Sequence, residues 1–212
     1  MTMLNKFLMH SMLMLSALML AFSPLKASAE AMSEPQALVK KASDDMLKAL
    51  KDNEAELQEN PEKIYELVEA ILMPHFDFEK MSKLALGKNW RSANAEQRDR
   101  FVEEFRLLLI RTYSTAMLEY TDEVINMLPF RDDLSRKRVT VPMEVVQKGG
   151  PSIGMSLSLY QNKQDDWKVY DVKIDGISLV TNYRSSFANE IRSGGMDKLI
   201  EDLAERNQKV KA

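Results

Sequence analysis

Between Glu123 and Asp175 the apolar residues of this chain recur at every second position, whereas on either side they recur every third or fourth. Alternation marks strands buried on one face, and the wider spacing marks amphipathic helices, so the chain reads as helices, then consecutive strands, then helices. Strands are expected over Val124 to Phe130, Arg138 to Gln147, Ser152 to Tyr160 and Trp167 to Asp175, with turns at Gly149-Gly150 and Asn162 to Asp166. Val139, Val141, Met143 and Val145 alternate, as do Ile153, Met155, Leu157 and Leu159, then Val172 and Ile174; one sheet face is therefore apolar. Hairpin-linked strands between helical blocks define an α+β fold, a curved antiparallel meander sheet of about four strands wrapped by N- and C-terminal helices. Pro142 inside the second strand points to an edge or a bulge.

The helical blocks carry their own punctuation. A first helix is expected from Pro35 to Lys51, a second from Asn60-Pro61 to before Pro74, and a third capped by Asp77 and ended by Gly87. Trp90 falls in a connector. Asn94 with Gln97 three residues on forms a capping box that opens the longest helix, about Ala95 to Leu118. Its apolar residues cover nearly the whole circumference around Phe105 to Ile110, so it should be covered on several sides. Two closing helices, Ser178 to Arg192 and Met196 to about Asn207, are separated by Gly194 and Gly195.

The start of the chain has a different character. Lys6 precedes an apolar run from Phe7 to Phe22, followed by Pro24 and the triplet Ala27, Ser28, Ala29, the pattern of a secretory leader with its cleavage site. The run is shorter than the ~20 apolar residues of a spanning helix. We expect residues 1–29 to be a signal peptide and residues 30–212 to form one domain, stabilised by packing alone because the chain has no Cys. Removing Lys6 and Lys26 with the leader leaves 27 basic and 32 acidic residues, a net charge of −5, which argues against nucleic-acid binding.

Chemistry has little to build on. After Ala29 the chain has a single His, His75, between Pro74 and Phe76, and it lacks a nucleophile-elbow motif, a glycine-rich phosphate loop and a His-rich metal site. No catalytic residue and no metal ligand is expected. Asp171 and Asp175 flank Val172 and Ile174 and should lie on the opposite, solvated face, where Arg184 is a partner for either. Arg131, Arg136, Lys137 and Arg138 form the one locally basic run. Nine methionines follow the leader; flexible Met suits a pocket for varied apolar chains, although core filling is its commoner use.

The run from Trp167 to Phe187, with Gly176-Ile-Ser-Leu-Val-Thr-Asn-Tyr-Arg184-Ser-Ser-Phe187 at its heart, closely resembles the signature of the MlaC family of periplasmic proteins, also called the toluene-tolerance family. So does the earlier Leu86-Gly87-Lys-Asn-Trp90, with Gln97, Phe101, Phe105, Leu109 and Tyr113 after it. The resemblance covers about residues 36 to 204. It implies a periplasmic, monomeric phospholipid carrier without a cofactor, its cargo a bound phospholipid whose acyl tails lie inside and whose headgroup lies near solvent. It implies two docking partners, an outer-membrane MlaA-type lipoprotein complex and an inner-membrane Mla-type ABC transporter complex, in the service of outer-membrane lipid asymmetry.

On this reading the tail pocket is lined by Met81, Leu84, Phe105, Leu109 and Tyr113 from the helices, and by Val141, Met143, Met155, Leu157, Leu159, Val172 and Ile174 from the sheet. Val180, Tyr183 and Phe187 of the closing helix complete it. Arg184, Arg136, Lys137 and Arg138 are candidates for headgroup contact or docking. The competing readings are a cone-shaped α+β enzyme using Asp171 or Asp175 as base on a small apolar substrate, a binder of apolar solvent rather than lipid, and a structural adaptor.

Overall fold

The computed structural model describes residues 32–118, 123–146 and 150–209. The expected leader and its cleavage site lie outside the described residues, as does Gly149.

Helix α1 (Glu34–Asp52) begins at Ser33, whose N–H donates to Gln36 Oε1 at 3.2 Å, and carries Pro35 in its first turn. A short α2 (Glu54–Glu59), which the periodicity does not reveal, leads to α3 (Lys63–Ile71) and a 3-10 turn at Met73–His75. Asp77 caps α4 (Phe78–Leu86) by accepting from Lys80 N at 2.8 Å, and Gly87 ends it at φ 55°. Trp90 sits in a four-residue helix α5 (Asn89–Ser92) instead of an irregular connector. The reciprocal Asn94 and Gln97 hydrogen bonds, 2.9 and 3.1 Å, open α6 (Ala95–Met117).

The sheet is a five-stranded antiparallel meander in sequential order: β1 (Val124–Met127), β2 (Arg138–Val146), β3 (Ile153–Gln161), β4 (Trp167–Ile174) and the two-residue β5 (Ile177–Ser178). Pro142 is in a strand paired on both sides, not in an edge strand. It is tolerated because β1 stops at Met127: past that point β2 meets irregular chain, where Pro142 O accepts from Leu128 N at 3.0 Å.

A bulge in β4 changes the expected parity. Leu157 pairs with Val172 and Ser158 with Asp171, but Leu159 pairs with Val169, which leaves Tyr170 unmatched. Trp167 and Val169 therefore join Val172 on the buried side, whereas strict alternation back from Val172 would have put Lys168 and Tyr170 there. Asp171 keeps the face opposite Val172, but the start of the closing helix α7 (Leu179–Lys209) covers it there, so it is buried rather than solvated. Gly195, at φ 85°, breaks α7 where the paired glycines predict a division.

Among the described residues three separate apolar clusters hold the fold. The first fills the space among α4, α6 and both arms of α7 with Phe101, Phe105, Phe187, Leu199, Ile200 and Leu203, all fully buried. The second joins the apolar sheet face to Val39 of α1, and the third joins α1, α2, α3 and α6 through Met46, Leu50, Leu57, Ile64, Val68 and Ile110. The long greasy helix α6 serves two of them, which accounts for its apolar circumference. A domain of this size ordinarily closes on one contiguous core. Here a void lies where the three clusters converge.

Candidate functional site: an apolar cavity between helices and sheet

The void is an apolar cavity of about 340 Å³. Its walls are built by α1 (Leu38, Val39, Ala42, Met46, Leu47, Leu50), by the segment from α3 to α4 (Leu72, Met73, Phe76, Phe78, Met81), and by the C-terminal half of α6 (Leu109, Ile110, Tyr113, Met117). The inner sheet face supplies Ile125, Met143, Val145, Ile153, Met155, Leu157, Val169, Val172 and Ile174. At the ~30 Å³ that a water takes up in the liquid, the cavity has room for roughly 11 groups the size of a water or a methylene.

Packing alone does not collapse the walls, because each is anchored from behind. The segment before α4 is laid beside β4: Phe76 bridges to Val169, Asp77 N donates to Val169 O at 2.9 Å, and Lys168 Nζ donates to Pro74 O at 2.8 Å. Tyr160 Oη donates to the Asp77 carboxylate, and Lys80 Nζ stands 3.1 Å above the Tyr160 ring centroid. Phe76 and Phe78 stack at 5.9 Å, and both face the cavity. On the other side, Arg106 of α6 pairs with Glu69 of α3 and with Glu103 at 2.7 Å.

The wall is nearly free of charge. Among the described lining residues only Glu123 is a carboxylate, and the other polar ones are Ser43, His75, Tyr113 and Ser114. Burial lowers the His75 pKa, and Lys168 and Lys41 lower it further, so its imidazole is held neutral at neutral pH. Burial, followed by the neighbouring Tyr183, pushes Tyr113 up to about 12, which keeps its phenol protonated. Such a surface offers hydrocarbon a site without asking any ion to desolvate.

Of the residues singled out in the sequence, Met81, Leu109, Tyr113, Met143, Met155, Leu157, Val172 and Ile174 lie on the cavity wall. Leu84, Phe105, Val180, Tyr183 and Phe187 do not; they belong to the solid cluster among α4, α6 and α7. There Phe105 meets Tyr183 and Phe187 edge-to-face at 5.4 and 5.6 Å, so its ring packs against α7 and does not border the cavity. Val141 and Leu159 face the same way as the lining strand residues but lie fully buried at the filled end of the sheet.

The polar candidates are placed elsewhere. Arg184 does not pair with Asp171 or Asp175; its Nε and Nη2 donate to Leu84 O at 2.9 and 2.6 Å and thereby satisfy a carbonyl at the end of α4. Arg136, Lys137 and Arg138 are exposed around the start of β2, at the opposite end of that strand from lining residues Met143 and Val145, and Lys137 Nζ reaches Asp165 at 3.4 Å. Asp171 Oδ1 accepts from Val180 N at 3.3 Å, and Asp175, in a turn at φ 48°, accepts from Gly154 N at 3.1 Å. Sequence reasoning missed the whole contribution of α1. Its stripe from Leu38 to Leu50 has the period of any core-facing helix, and nothing in that period says that part of what it faces is empty.

An open meander sheet set against helices, with an unfilled apolar space between them, defines a container for apolar ligands. The chain matches the MlaC protein family over residues 40–205 and belongs to it. It is 31% identical to the toluene tolerance protein ttg2D of Pseudomonas putida over 200 residues, covering 93% of this chain and 91% of that one. It is 23% identical over 175 residues, 82% of each chain, to the intermembrane phospholipid transport system binding protein MlaC of Haemophilus influenzae. Its fold matches a phospholipid-binding protein from Ralstonia solanacearum, solved in complex with a phospholipid, at a TM-score of 0.78 and 31% identity, covering 85% of this chain and all of the other.

Proposed function

We propose that this chain is a periplasmic phospholipid carrier that encloses acyl tails in the cavity between α1, α6 and the sheet and leaves the headgroup at its mouth. The observation that carries the reading is the cavity itself: a wall almost without charge, in a member of a family with a phospholipid-bound relative. Two tails of ~28 methylenes in all would cost on the order of 22 kcal/mol to expose at ~0.8 kcal/mol each, so a lipid crosses water slowly unless it is carried. The cavity's room for roughly 11 methylene-sized groups is that of most of one tail, and a second requires its walls to withdraw.

The apolar leader with its Ala27-Ser28-Ala29 triplet supports export and cleavage after Ala29. No helix among the described residues is long and apolar enough to cross a membrane. The carrier loads and unloads at an outer-membrane MlaA-type lipoprotein complex and an inner-membrane Mla-type ABC transporter complex, and so maintains outer-membrane lipid asymmetry. The exposed run of Arg136, Lys137 and Arg138 is read as a docking surface, since it is away from the cavity wall. Carriage is favoured over catalysis because neither proposed base reaches the cavity: Asp171 is engaged at the start of α7 and Asp175 in a turn.

Transfer of fluorescent phospholipid from donor to acceptor vesicles tests the reading. Added protein should accelerate transfer in proportion to its concentration. Transfer no faster than in buffer would refute it.

A further inference from the structure

Six of the nine methionines that follow the leader line the cavity: Met46, Met73, Met81, Met117, Met143 and Met155. They come from six different elements, namely α1, the 3-10 turn, α4, α6, β2 and β3. Met143 and Met155 are direct cross-strand partners. The other three, Met32, Met127 and Met196, lie off the cavity wall. Ordinary core filling would spread methionine over all three apolar clusters in their solid parts, yet no methionine is fully buried in the aromatic heart around Phe101, Phe105 and Phe187 except Met81, which itself borders the void.

The placement has a physical consequence. A thioether side chain has three rotatable bonds and no branch, so it changes shape at little cost. A rigid apolar pocket discriminates by roughly tenfold or more for each methylene that fits badly. With methionines on α1, α6, the α3–α4 segment and the sheet, this cavity can narrow around a small cargo or withdraw from a large one without disturbing the backbone.

We infer that the six methionines set the breadth of the cargo, so that one cavity takes two-tailed phospholipids of varied tail length and one-tailed lysophospholipids alike. The inference rests on the carrier reading and specifies the substrate class of the same site.

The test loads the exported protein from vesicles holding equal amounts of phosphatidylglycerols whose tails differ by several methylenes, together with their lyso forms, and reads the bound species by native mass spectrometry. The wild type should reproduce the vesicle proportions within about threefold, since hydrocarbon gains in the cavity what it loses in the bilayer. The combined Met46→Leu, Met143→Leu, Met155→Leu variant conserves side-chain volume but stiffens two walls, α1 and the sheet, and its loading should skew by about tenfold or more towards one tail length. A variant as broad as the wild type, or a wild type already restricted to one species, overturns the inference and leaves the carrier reading standing. A wild type that loads no lipid overturns both.

Should the variant fail to fold, the wild type carries its own control. With carbon-13-labelled methionine methyls, the six cavity resonances should shift with tail length while those of Met32, Met127 and Met196 stay fixed. Six resonances insensitive to tail length would overturn the inference.

Discussion

Leu157→Arg separates a ligand cavity from a filled core. Leu157 sits on the cavity wall between its cross-strand partners Val141 and Val172 and is only partly buried, so a longer side chain can enter existing space instead of displacing neighbours. Without lipid the guanidinium can reach water from this half-buried position, and the domain should melt cooperatively near the wild-type temperature. With tails in place the same charge faces hydrocarbon, at a cost of several kcal/mol. Taking ~3 kcal/mol after some snorkelling towards the mouth gives about a hundredfold weaker lipid binding. The companion substitution is Phe105→Ala in the solid cluster, where the ring is fully buried within 5.6 Å of three other aromatic rings. It should cost ~3–5 kcal/mol and lower the melting temperature by roughly 6–20 °C. Thermal melts followed by lipid extraction of the surviving folded protein read both effects. A folded Leu157→Arg protein with its full complement of phospholipid would refute the placement of the tails, and an unfolded one would show that the wall is packed core.

Three further outcomes follow from the polar contacts. Asp171→Ala removes the acceptor for Val180 N at the start of α7 and should destabilise the domain by ~1–2 kcal/mol in urea unfolding while leaving lipid transfer unchanged; lost transfer at unchanged stability would reopen a role in chemistry. Arg184→Ala frees Leu84 O and should cost about 1 kcal/mol by the same measurement, again with lipid retained; a protein that is stable but empty would return Arg184 to the headgroup. Because the folded His75 pKa lies below its unfolded value of about 6.5, the unfolded chain binds the extra proton first as pH falls, so stability present above pH ~6.5 should decline below it. His75→Gln should flatten that decline in urea titrations at graded pH, and an unchanged slope would place its cause elsewhere.

Much of this architecture is legible in local sequence because it is locally determined. Asn94 and Gln97 fix the start of α6 through two hydrogen bonds three residues apart, Asp77 caps α4 in the same way, and Gly195 takes a positive φ between the arms of α7. The antiparallel register follows from short hairpins whose two strands each alternate cleanly. What escaped is determined by distant neighbours. The unmatched Tyr170 in β4 depends on how β3 and β4 bend together, and it reverses the facing of Trp167, Lys168 and Val169. Arg184 has carboxylates nearby in sequence but bonds a carbonyl 100 positions away. The division between Leu109, which borders the void, and Phe105 one turn earlier, which does not, is invisible to periodicity, since both satisfy the same apolar stripe. A pattern of hydrophobic residues states which surfaces avoid water. It does not state whether protein or ligand covers them.

The central claim is that acyl tails occupy this cavity, and photocrosslinking with a phospholipid that carries a diazirine near one tail end addresses it directly. After irradiation of the loaded protein and peptide mapping, label should concentrate on lining residues such as Leu47, Leu109, Met143 and Met155, with little on Phe105, Phe187 or Leu199 in the solid cluster. Label confined to surface positions, or centred on the α4, α6 and α7 cluster, would contradict the account.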